Sequence, residues 1–412
     1  MQRKLSMGVA VAAAAGLVLA GCAVTGPSGR NDDSGEIKLG WLLPQTGPIA
    51  SLGAPQVAAL ELALKDINDA GGANGRTVGF TGADEAGDPA IAGQAVDRLI
   101  SGGVSAIIGA GSSSITMSVI DKITGSGIVQ CSGMNTTPAL STYPDDGYYF
   151  RTVPSDVLQG AALSDAMTKD GVSSVSIMAR SDSYASGLAS ATEESLEKAG
   201  IPVVVRVDYD PQAQNLSGEV NKVVAAGADA IVLFSFDEGA KILQGLLEKG
   251  INPATTRLYG TDALPISSLA ESVDPSDLSR VAGMKFTQAS SGEGSDFTTR
   301  LLEVKPGLST TAFTPYFYDC AILIALAIES AQSSDPTVFK DQIVPLTKGE
   351  TECTSYSECK TLLTDGKSIA YIGAAGPLKF DDSGEPTTGL YDVLELQPDG
   401  MTTTFETVRH TR

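Results

Sequence analysis

The chain has 412 residues, more than one hydrophobic core usually serves, so two domains are expected. Its hydrophobic content of 42%, with 45 Gly and 20 Pro, is that of a folded α/β protein and not of a disordered chain. A formal charge of −21 argues against nucleic acid and anionic lipid surfaces as partners.

Arg3 and Lys4 precede an uncharged, mostly apolar run, residues 5–21, that stops at Leu19-Ala20-Gly21-Cys22. A basic start, an apolar middle and a small-residue end make a signal peptide over 1–21, not a spanning helix. The Leu-Ala-Gly-Cys ending resembles a bacterial lipobox, which implies a diacylated Cys22 on an exported lipoprotein. Residues 22–35, rich in Gly, Ser, Asn and Asp, then form a flexible tether.

Residues 37–43 read as a first strand, followed by a helix with Val57, Leu60, Leu64 and Ile67 on one face and a stop at Gly71-Gly72. A strand over 77–82 leads to Asp88-Pro89, an N-cap and first residue for a helix through Ile100. Residues 105–138 carry the most informative stretch. A strand over 106–108 enters a Gly-Ala-Gly-Ser-Ser-Ser turn, then a helix with Ile115, Val119, Ile120 and Ile123 on one face. A second strand, 128–131, ends in Ser132-Gly133-Met134-Asn135-Thr136-Thr137. Ligands of open parallel sheets bind beyond the carboxyl ends of the strands. Free N–H groups at 112–114, beside a helix start, suit a carboxylate. Two such loops in succession predict half of a small-molecule site; the plainer alternative is that they only cap helices and turn the chain.

Helices within 157–169, 185–199, 216–226 and 238–249 each end at a glycine before an apolar strand, at 174–179, 203–207, 230–236 and 258–259. That punctuation predicts right-handed βαβ units and mostly parallel sheet. After a linker-like break at 290–295 come an apolar helix over 318–330 and short strands at 369–372, 378–380 and 393–397.

Cys131, Cys320, Cys353 and Cys359 are an even set in an exported chain, which predicts disulfides with three possible pairings. Cys353 and Cys359 most simply close a local ring in a polar loop, leaving Cys131–Cys320 as a long-range bridge. No metal or other cofactor is expected: the single histidine, His410, lies in the tail, and the cysteine spacing lacks zinc knuckles. A Ser-His-Asp triad would have to recruit His410, and no nucleophile elbow or phosphate-binding loop is present.

Together these features resemble the solute-binding proteins of ABC importers of the branched-chain amino acid (Leu/Ile/Val-binding) class, which have a type I periplasmic-binding fold. The resemblance covers about 37–397 and rests on PQTGPIASLG (44–53), DINDAGGANGR (66–76), IIGAGSSS (107–114), NTTPAL (135–140), YFRTVPSD (149–156), YGTDAL (259–264), YDCAILIALA (318–327) and GPLKFDDSGEP (376–386). It implies two Rossmann-like lobes, 36–152 with 290–372 and 153–289 with 373–412. Three crossovers, near 151–156, 281–291 and 370–377, would join them.

By the same resemblance, Ser113 with Ser112, and Thr136, hold an amino acid's α-carboxylate. The backbone contact before that threonine falls on Met134, Asn135 is counted among the ligand-binding residues, Tyr184 adds an aromatic wall, and Asp262 pairs with the α-ammonium. Phe236 or Asp237 also reaches the cleft. Leu52 stands where the family often has an aromatic, and Met134 where it has a small residue; both reshape the side-chain pocket. The implied protein is a monomer, lipid-anchored on the extracytoplasmic face of a bacterial membrane. It would pass a zwitterionic amino acid, or a small amide-like relative, to an ABC permease without chemistry. Two rivals are a sensor of the same fold that signals to a membrane partner, and an exported hydrolase using a cleft serine, disfavoured because no base lies near any serine.

Overall fold

The structure is a computed structural model that describes residues 35–290 and 296–412. The expected signal peptide, Cys22, the tether up to residue 34 and residues 291–295 of the break lie outside the described residues.

Strands β1 (Ile37–Leu43), β2 (Val78–Asp84), β3 (Ala106–Gly109), β4 (Val129–Ser132) and β5 (Tyr149–Arg151) form an all-parallel sheet in the order β2-β1-β3-β4-β5. Parallel strands need helical crossovers, which cover both faces of the sheet, so β3 and β4 are buried along their whole length; β3 is an apolar run, and the one large polar residue of β4, Gln130, donates to Gly109 O. Asp88 caps the helix Pro89–Ser101 through the N–H groups of Ala90 and Ile91, the arrangement its Asp-Pro pair predicts.

The chain next builds β6 (Val175–Arg180), β7 (Val203–Tyr209), β8 (Ala230–Phe234), β9 (Arg257–Thr261) and β10 (Lys285–Ala289), all parallel. It then returns to the first lobe. There the helix Thr314–Ala331, buried from Thr314 to Glu329, packs on the helix Gly53–Asp69. A small sheet of β11 (Thr351–Cys353), β12 (Ile369–Gly373) and β13 (Gly376–Pro377) follows. Finally β14 (Thr388–Leu396) and β15 (Thr402–Thr411) join β10 antiparallel, giving a seven-stranded sheet in the order β15-β14-β10-β9-β8-β6-β7.

The chain therefore changes sheet three times: between Arg151 and Asp156, after Ala289, and between Pro377 and Thr388. The last passage falls later than 370–377, because the β12–β13 hairpin stays in the small sheet. Phe380 likewise stays with the first lobe, its N–H bonded to Thr347 Oγ1.

Disulfides join Cys131 of β4 to Cys320 of the buried helix, and Cys353 to Cys359. The second ring does not lie in a polar loop: it ties the end of β11 to the helix Tyr356–Thr364, and both sulfurs are buried. Among the described residues no helix is long and apolar enough to cross a membrane.

Candidate functional site

The loops after β3 and β4 rest on a satisfied polar frame. Asn135 is its centre: Oδ1 accepts from Thr116 Oγ1 (2.6 Å) and Tyr149 Oη (3.2 Å), while Nδ2 donates to the carbonyls of Ala110 (3.0 Å) and Gly111 (2.9 Å). Ser132 Oγ donates to Ala110 O (2.8 Å) and accepts from the N–H groups of Met134 and Asn135, each at 3.2 Å. The Asn135 side-chain amide is saturated by the protein and fully buried, so it holds the two loops together.

The expected N–H site also changes. The N–H groups of Gly111 and Ser112 donate to the carboxylate of Glu85, at 2.7 and 3.1 Å. Burial raises the Glu85 carboxyl to about 8 against the pull of those two donors. What stays open is the first turn of the helix Ser113–Thr124, whose N–H groups have no intrahelical acceptor. The hydroxyls of Ser113 and Thr136 join it; both are buried without a partner.

Arg151, the last residue of β5, supports the second loop from behind. It is fully buried, and its Nη1 donates to the carbonyls of Asn135 (3.1 Å) and Thr137 (3.0 Å). Its Nη2 reaches Ser141 Oγ and the carboxylate of Glu385, in the third passage between the sheets.

The second lobe offers different groups. Tyr184 opens the helix Ser183–Lys198, shares a 2.9 Å hydrogen bond with Thr261 Oγ1, and stacks on Phe236 at 5.6 Å. The Arg180 guanidinium lies 3.6 Å from the Phe236 ring and is itself held by Asp182 and Glu238. Phe236 is buried and Asp237 exposed, so the ring is the inward residue of that pair. Asp262 is buried, with Oδ2 accepting from the N–H of Ala289 at 3.2 Å. Burial raises its carboxyl to about 6, opposed by the Ala289 N–H and the Gln159 amide.

Asp156 was not singled out from the sequence, though it ends the YFRTVPSD run. It begins the helix Asp156–Lys169, and its N–H donates to Thr136 O at 2.8 Å. Both of its carboxylate oxygens are buried and without a hydrogen-bond partner. Burial raises it to about 8. The Thr136 hydroxyl, which stops short of hydrogen-bond geometry, and Arg151 pull it down; Asp262 and Asp182 push it up. An acid next to a threonine already in view was the available signal.

The lobes meet beside these groups. Ser183 Oγ lies 3.3 Å from Ser114 Oγ. A Cβ on Gly187 would stand 2.8 Å from Thr137 Oγ1 and 2.9 Å from Pro138 Cδ, so only glycine permits this approach. Among the described residues no cluster of His, Cys, Asp and Glu could hold a metal ion.

Two α/β lobes with mostly parallel sheets, hydroxyls at the facing edge of one and acids with aromatics on the other, have the type I periplasmic-binding fold. Residues 36–384 match the family profile described as "Periplasmic binding protein", and the chain belongs to that family. It is 25% identical over 370 residues to "Leu/Ile/Val-binding protein homolog 3" of Brucella melitensis, covering 87% of this chain and 91% of that one. It is 26% identical over 332 residues to the leucine-, isoleucine-, valine-, threonine- and alanine-binding protein of Pseudomonas aeruginosa, covering 77% and 85%. A leucine-binding protein of Thermotoga maritima superposes with a TM-score of 0.76 at 20% identity, over 90% of this chain and 98% of that one.

Proposed function

We propose that this protein captures a zwitterionic amino acid between its lobes and delivers it to an ABC importer, while anchored outside a bacterial membrane through lipid on Cys22. One observation carries the ligand class: the hydroxyls of Ser113 and Thr136 are unpartnered, and the Thr136 hydroxyl lies close to the unpartnered carboxylate of Asp156, which also feels the charge of Asp262. An unsatisfied buried polar group costs about 1–3 kcal/mol. A ligand that brings a carboxylate to the hydroxyls and an ammonium to the acids relieves several such costs at once. Because the groups sit on different lobes, that relief exists only in the closed form, which is what drives closure.

The relatives' names support amino acids of the branched-chain type and, for the P. aeruginosa protein, threonine and alanine. A Ser-His-Asp hydrolase would need His410 near a cleft serine, whereas it sits on β15 at 3.5 Å from Asp165.

Thermal unfolding of ligand-stripped protein against amino acids, amides and sugars tests the reading. At a hundredfold excess over its dissociation constant a ligand adds about 2.7 kcal/mol. A shift with an amino acid that disappears in Asp262→Ala and Thr136→Ala is the expected result; no shift with any amino acid sinks it. Loss of radiolabelled palmitate incorporation in Cys22→Ala tests the anchor separately.

A further inference from the structure

One polar group near the site is not used by a zwitterion's two charges. Gln56 lies four residues after Leu52, so both occupy one face at the start of the helix Gly53–Asp69. It is fully buried. Its Nε2 donates to Met134 Sδ at 3.2 Å, and its Oε1 is buried without any partner. A thioether is a weak acceptor, so a carboxamide able to make several strong hydrogen bonds has one poor contact and one orphaned atom.

The position of that contact matters. Met134 belongs to the loop that carries Thr136, so the Gln56–Met134 contact lies two residues along the chain from the carboxylate anchor, with Leu52 in the same buried cluster as Met134. A bare alkyl side chain would gain nothing from an amide there, and leucine or methionine would fill the same space without burying a polar group. Turning the amide over does not remove the problem, because one of its two polar atoms still faces only sulfur and the other nothing.

We propose that Gln56 reads the ligand's side chain. The preferred ligand is an amino acid whose side chain ends in a hydroxyl or carboxamide, not a branched alkyl group. This rests on the amino-acid reading above and adds the class of side chain to it.

The test is calorimetric titration of the full chain, solubilised in detergent and stripped of carried ligand. The titrants are threonine, asparagine and glutamine against valine, leucine and isoleucine. The best polar ligand is expected to bind at least about tenfold tighter than the best aliphatic one, since a hydrogen-bonding site rejects analogues that leave it unpaired. Gln56→Met is expected to erase or reverse that ratio. Leucine, isoleucine or valine binding as tightly as the polar set overturns the proposal while leaving the zwitterion site standing. So does a ratio unchanged in Gln56→Met. Failure of every amino acid to bind overturns both. The ranking on the unaltered protein decides even where the variant fails to fold.

Discussion

The two walls of the cleft are built on opposite principles. On the first lobe nearly every polar atom is spent internally: Asn135, Ser132 and Thr116 bond one another and the backbone, and Glu85 takes two of the loop N–H groups. What remains for a ligand is neutral: two hydroxyls, the Gln56 amide and the first turn of a helix. On the second lobe the acids stay raw. Asp156 has no partner and Asp262 accepts from one backbone N–H, beside an aromatic pair pinned by Arg180. One wall is held rigid by its own bonds and suits an anionic end; the other carries acids whose ionisation burial suppresses, and suits a cation that would restore it. A ligand lacking either end can touch a wall but has little to gain from closing the cleft.

The sharpest break of this contrast is Asp156→Ala. Removing one partner of a buried charge pair costs about 2–5 kcal/mol. Calorimetry should therefore show affinity for the amino acid falling by well over tenfold, with the circular dichroism of the fold unchanged. Retained affinity would place the cationic end on Asp262 alone.

Gly187→Val is expected to act on closure and not on either wall. Its side chain would collide with Thr137 and Pro138, so small-angle scattering should show a more extended protein that ligand no longer compacts. Unfolding temperature without ligand should change little. Compaction by ligand as in the unaltered protein would show that the lobes close by another contact.

A smaller effect follows from proton linkage. Asp156 and Asp262 are raised to about 8 and about 6 from an ordinary value near 4, so above pH 4 the folded state binds more protons than the unfolded one. Stability of the empty protein should therefore fall as pH rises from about 4 to 8 through these two groups. Affinity for an ammonium ligand should rise over the same window, as the acids ionise. Asp156→Asn should flatten the upper part of both curves in a pH series of thermal unfolding and titration; curves that keep their shape would remove Asp156 from the linkage.

The alternation of helix, glycine and apolar strand made most of the parallel framework legible, because a strand covered on both faces cannot avoid an apolar run. The same reasoning passes over Lys285–Ala289, Thr351–Cys353 and Thr402–Thr411. The last is an edge strand, written in Thr, Glu and Arg because most of its residues face water. In the site, Ser113 and Thr136 were visible as hydroxyls after strands. Asn135 stood in the same run and looked equivalent. What sets its side chain apart is a set of partners at 110, 111, 116 and 149, supplied by other elements, and no local pattern reports them. Asp156 was hidden for the converse reason: its meaning lies in the partners it lacks.

Arg151 gives the cleft a mechanical property. One guanidinium grips the carbonyls on either side of Thr136 and, at its other end, a glutamate in the strap where the chain makes its last passage between lobes. That strap is gripped again by Arg412, which reaches both Glu385 and Asp381. The arginine thus works as a tie rod: the ligand loop cannot tilt without dragging the strap, and the strap cannot flex without tugging the loop. Motion of the whole lobe and the placement of a single hydroxyl are geared to each other through one side chain that never meets solvent.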